Sequence, residues 1–187
     1  MAYYVRKITR AKWSIPCDGA EKIIENYRAD AIANDMKTTN DTLSFWKIDS
    51  LSETDMEPVI VINSLLGDNI NKIELLCVPE HMVTKFSFEQ KDGDTVVFNY
   101  RKIHYNLTKM TVKTLFDFAK DVVLTILHNE EQNQKEADFV PLIKRIGKPD
   151  QLDLIIKWLE QGEFSYDDLK EKQKIDIDKQ QKKKNSF

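Results

Sequence analysis

The densest apolar run in the chain is Pro58-Val59-Ile60-Val61-Ile62-Asn63-Ser64-Leu65-Leu66, and a second, Ile73-Glu74-Leu75-Leu76-Cys77-Val78, follows shortly after. Two such runs so close together must both leave water, so the fold is organised around them. The first admits two readings. Four consecutive β-branched residues, Val59 to Ile62, would suit a buried strand. Against that, Thr54 and Asp55 as caps, Pro58 in a first helical turn and Gly67 as a stop agree with one another, and they favour a helix. The second run reads as a strand ending at Pro79.

Around this pair the remaining patterns predict an α+β fold. Tyr3 to Ile8 and Leu43 to Ile48 carry the aromatic and β-branched content of strands. Residues 20–32 show helical spacing after a possible Asp18 cap, and Asn40-Asp41 suits a turn. Alternation in Thr84–Glu89 and Thr95–Arg101, separated by Lys91-Asp92-Gly93-Asp94, predicts a hairpin. From Thr108 or Thr111 onward, Val112, Leu115, Phe116, Ala119, Val122, Val123, Ile126 and Leu127 recur at helical spacing, giving a long helix expected to lie across the sheet. The fold class is thus a mixed or antiparallel sheet packed against a long helix and followed by short C-terminal helices. The expected organisation is an α+β core over residues 1–128 and a helical extension over 129–169. That extension holds the stripes Phe139–Ile146 and Leu152–Leu159 and a third start capped by Ser165. A charged tail over 170–187 is expected to fray into disorder.

Charge and length bound the function. A net charge of −3 on 187 residues argues against general affinity for nucleic acid. The exception is the tail, where seven lysines face three acidic side chains between Lys170 and Lys184. No apolar run approaches the ~20 residues of a membrane helix, and the N-terminus carries no apolar leader-like stretch. A cytoplasmic protein is expected, with Cys17 and Cys77 as buried thiols, the commoner state for two widely separated cysteines.

The sequence has no phosphate-binding glycine loop, no H-E-x-x-H and no nucleophile elbow. Three scattered histidines without paired cysteines give no metal cluster, and no cofactor is expected. Two polar groupings remain. Arg6, Lys7, Arg10 and Lys12 beside Trp13 could hold a phosphate-bearing ligand, the cations meeting the charge and the indole a base. The bland alternative is charge flanking an edge strand. Asn99, Arg101, Lys102, His104 and Tyr105 form the second. There His104 is a candidate acid or base, with Asn99, Tyr4 or Tyr105 to orient it, and Arg101 a candidate ligand contact. A structural hydrogen bond or helix cap is the alternative for His104. Trp46 beside Phe45 reads as core.

Lacking a catalytic signature, the chain is expected to be an intracellular interaction or accessory protein. It could belong to a multi-protein defence or toxin–antitoxin system, with a protein partner or a second copy of itself. The alternatives are a metal-independent enzyme acting on a nucleotide or other phosphorylated ligand, and nucleic-acid binding through the lysine-rich tail.

Overall fold

The computed structural model describes residues 1–9, 13, 34–93, 95–127 and 142–184. Arg10, Lys12, Cys17, His128, Phe139 and the expected helix at 20–32 lie outside the described residues. Among the described residues six strands form one sheet: β1 (Tyr3–Ile8), β2 (Leu43–Ile48), β3 (Ile73–Pro79), β4 (Ser87–Gln90), β5 (His104–Thr108) and β6 (Ile143–Ile146). Their order is β4-β5-β2-β1-β3-β6, and every neighbouring pair is antiparallel. Helices cover both faces. Against one lies α3, a continuous helix over residues 112–127; against the other lie α1 (Glu53–Leu65), α4 (Lys148–Glu160) and α5 (Glu171–Lys184), with a single turn α2 (Glu80–Val83) after β3.

The two-faced cover explains the apolar run of β3. Leu76 and Val78 enter the core under α3, while Leu75 and Cys77 enter the core under α1 and α4. A strand buried on both sides loses its alternation. Cys77 is a free thiol whose pKa is pushed up to about 12 by burial.

The run at 58–66 is helical, as its punctuation suggests, but the helix starts a turn earlier than Pro58 implies. Ser52, not Thr54 or Asp55, is the N-cap, its hydroxyl accepting from the Asp55 N–H at 3.2 Å. Pro58 therefore sits inside α1, and the carbonyl it cannot serve belongs to exposed Thr54, where water can reach it. From Met56 to Leu65 nearly every residue is buried, because α1 is pressed between the sheet and α4. Its carboxyl end is closed from far away: Gln173 donates from Nε2 to the carbonyls of Leu65 (3.1 Å) and Gly67 (2.7 Å).

Thr111 caps α3, accepting from the Thr114 N–H at 3.2 Å. A π-helical stretch, Ala119–Leu124, inserts extra residue into the turn and shifts the inward register. As a result Phe118 is buried while Val112, placed in the apolar stripe by its spacing, is 88% exposed. Asn40 and Asp41 do form the expected turn, both at positive φ (51° and 56°) between reciprocally bonded Thr39 and Thr42.

Three local expectations fail. The hairpin pairs β4 with β5, not with residues 95–101, which enter a 3₁₀ helix (Phe98–Ile103). Gly93 serves close approach in place of a tight reversal: a Cβ there would lie 2.6 Å from the Trp46 ring and 2.9 Å from the His104 Cβ. The Phe139–Ile146 stripe ends in strand β6, which pairs with β3. Finally, the charged tail is helical through Lys184, and its Ile177 is fully buried against α1 and α4.

Candidate functional site

The pairing of β1 with β2 ends at Val5↔Trp46, and Arg6 occupies the divergence that follows. Its guanidinium donates from Nη1 to the Ser44 carbonyl at 2.7 Å, from Nε to the Asp35 carbonyl at 2.7 Å, and from Nη2 to the Lys37 carbonyl at 3.4 Å. The side chain also lies over the Phe45 ring, at 5.9 Å. Burial lowers its pKa to about 10, with the negative charge of Asp35 opposing the shift, so it stays cationic at neutral pH. Asp35 is itself buried, and its Oδ2 accepts from the Thr9 N–H (2.7 Å) and from Trp13 Nε1 (2.8 Å). Trp13, expected as an exposed ligand face, is only 2% exposed. Arg6, Asp35 and Trp13 thus hold the 34–37 segment to the sheet.

His104 opens β5 and pairs with Trp46, whose ring it meets edge-on at 4.9 Å. Its Nδ1 lies 2.8 Å from the Lys91 carbonyl, which can only accept, so the neutral ring carries its proton on Nδ1. Burial is the largest influence on its pKa and lowers it. The nearby charges of Lys91 and Arg6 push the same way, and the hydrogen bond to the carbonyl opposes them. Lys91 orients this ring; Tyr4, Tyr105 and Asn99 do not. Tyr4 and Tyr105 pack together on the other face, and Asn99 donates to Glu163 at 3.1 Å.

Arg6 and His104 line one cavity of about 540 Å³, beyond the end of α1 and beside the Asn40-Asp41 turn. Lys7, Ser44, Lys91 and Asn106 line it too. Asn99 and Arg101 lie elsewhere, on the 95–101 connection. There Arg101 donates from Nε to the Thr95 carbonyl at 3.0 Å and lies 4.8 Å over the Phe98 ring. Sequence reading missed Lys91 and Asn106. Asn106 would have been visible as the residue two beyond His104 on the same strand face, had β5 been recognised. Among the described residues no group of three or more His, Cys, Asp or Glu side chains could hold a metal ion. No described helix is long and apolar enough to cross a membrane.

The class this geometry defines is a three-layer α+β protein with an antiparallel sheet, a polar cavity on one face and an aromatic–arginine pair on a separate connection. Searches among protein families, curated proteins and solved structures find no match for the chain.

Proposed function

We propose that the chain is an interaction or accessory protein that engages a protein partner through the 95–101 connection. The observation carrying this reading is Phe98, 69% exposed on a segment that is otherwise firmly held. Val97 beside it is fully buried, and Tyr100 packs against Trp158 with ring centroids 5.1 Å apart. Gly93 donates its N–H to the Arg101 carbonyl at 3.1 Å, and Asn99 reaches Glu163. An aromatic ring fixed outside the core, with a guanidinium laid over it, has the composition of a binding hot spot and loses little entropy on docking.

The enzyme reading is weaker on the same grounds. The donors of Arg6 already serve three backbone carbonyls, and Trp13 has no open face. Membership of a defence or toxin–antitoxin assembly is the narrower form of this proposal, and the identity of the partner decides it.

The test places a photo-crosslinking residue at position 98 in cells, then reconstitutes any captured partner from purified components. Phe98→Ala should weaken that complex by roughly 30-fold, as expected for the ~2 kcal/mol of a hot spot. Sedimentation equilibrium on wild type and Phe98→Asp tests whether the partner is a second copy. A chain that stays monomeric and yields no partner whose affinity depends on Phe98 would refute the proposal.

A further inference from the structure

The groups around the Arg6–His104 cavity keep donors and acceptors that the fold does not use. Trp46↔His104 and Ser44↔Asn106 are paired positions of β2 and β5, so indole, imidazole, hydroxyl and amide share one face in adjacent rows. Asn106 is buried and its Oδ1 accepts from the Ser44 hydroxyl at 2.9 Å, leaving its NH₂ as the group on offer. Asn63, also buried, donates from Nδ2 to the Val59 carbonyl, leaving Oδ1 as an acceptor. His104 gives its Nδ1 proton to Lys91, so Nε2 keeps a lone pair at neutral pH.

Cations flank these groups. Lys7 lies on β1, two residues beyond the Val5↔Trp46 pair. Lys91 follows the last residue of β4, and its N–H donates to the His104 carbonyl at 3.2 Å. The two strands stand three places apart in the sheet, about 14 Å, so the lysines rise from opposite sides of the cavity. Among the described residues neither lysine has a carboxylate partner, and the one acid among the described lining residues is exposed Asp92.

We propose that this cavity binds a small phosphate monoester bearing free hydroxyl groups. The lysine ammonium groups and the Asn106 NH₂ meet the phosphate oxygens; His104 Nε2 and Asn63 Oδ1 accept from the hydroxyls. A cavity of about 540 Å³ is much larger than a bare anion requires and is within the range of small-molecule sites. A sugar phosphate and a nucleoside monophosphate share this chemistry.

Calorimetric titration of the full chain at low ionic strength with ribose 5-phosphate, AMP, inorganic phosphate and ribose tests the proposal. Ribose 5-phosphate or AMP should bind saturably, about tenfold tighter than inorganic phosphate or ribose. Lys7→Gln and Lys91→Gln should each weaken that binding by about tenfold, and Lys113→Gln, on an exposed helix surface, should leave it unchanged. Tighter binding of AMP than of ribose 5-phosphate would assign the nucleotide as the source of the phosphate, and the reverse order the sugar. The proposal is overturned if neither ester saturates by about 10 mM. It is equally overturned if inorganic phosphate or ribose binds as tightly as the esters, or if both cavity variants bind like wild type. Thermal unfolding of each variant, compared with wild type, separates lost binding from lost folding.

Discussion

Gln173 joins two helices that are far apart in the chain, α5 and the carboxyl end of α1. Its side chain is only 2% exposed, and the whole amide is engaged: Oε1 accepts from the Lys170 N–H at 3.0 Å, while Nε2 donates to the Leu65 and Gly67 carbonyls. Gln173→Ala leaves those three groups without partners. A buried orphan costs about 1–3 kcal/mol and a partly wetted one less, so about 2–4 kcal/mol of stability should be lost. Gln173→Glu keeps the shape but turns a carboxylate oxygen toward two carbonyls, so at neutral pH it should be less stable than the alanine variant. Burial among carbonyls would raise the pKa of that carboxyl in the native state. Its protonated form can donate, so the contribution is fully present below the ordinary Glu value of about 4.3 and is lost as pH rises through the raised native value. Urea unfolding of both variants at about pH 7 and about pH 4 reads this directly, the glutamate variant gaining on the alanine variant in acid. A loss of less than about 0.5 kcal/mol for Gln173→Ala would show that these bonds do not hold the two helices together. A glutamate variant more stable than the alanine variant at neutral pH would show the same.

Gly93→Ala should destabilise by about 1–3 kcal/mol, because its Cβ overlaps the Trp46 ring and the His104 Cβ; an unchanged urea midpoint would show that the loop can retreat. Asp35→Ala should cost about 3–5 kcal/mol, since it removes the acceptor for Thr9 and Trp13 and the charge facing buried Arg6. Trp13→Phe, which deletes one donor and leaves Asp35 in place, should cost about 1–3 kcal/mol in the same assay. Burial lowers the pKa of His104 in the native state from its ordinary value of 6.5, so the unfolded chain binds more protons there and stability should fall as pH drops through 6.5. His104→Gln should flatten that slope between about pH 5 and 8, and equal slopes for the two proteins would remove the assignment.

Elements whose cause is local were legible in the sequence. β3 shows as an uninterrupted apolar run, α1 through its punctuation, the Asn40-Asp41 turn through side chains that tolerate positive φ, and α3 through its spacing. What failed depends on distant neighbours. Gly93 has the chemistry of a reversal, and nothing nearby reveals that a tryptophan from β2 presses on it. In β6, Ile143 and Ile146 stand three apart, a spacing that four residues cannot assign to a strand or a helix. In α5 the one inward residue besides Ile177 is Gln173, which any hydropathy pattern places on the surface, so the sequence shows no anchor for this helix. At the candidate site, Arg6 and His104 were visible as reactive types. That the first is committed to carbonyls and the second to Lys91 follows only from how the strands diverge.

β6, at one edge of the sheet, is the last of the described strands to be synthesised. β3 pairs with β1 along one side, but its other side is covered by β6, with the Cys77 N–H reaching the Leu142 carbonyl at 2.8 Å. Synthesis at ~5–20 residues per second needs roughly 3–13 s to add the chain between these two strands. During that interval the ribosome-bound nascent chain presents the outer ladder of its most apolar strand, a template for pairing with a neighbouring nascent chain on the same message. The strand added last to the sheet therefore acts as a seal, and variants that weaken β6 should show their first defect as polysome-associated aggregation, before any loss of stability in the finished protein.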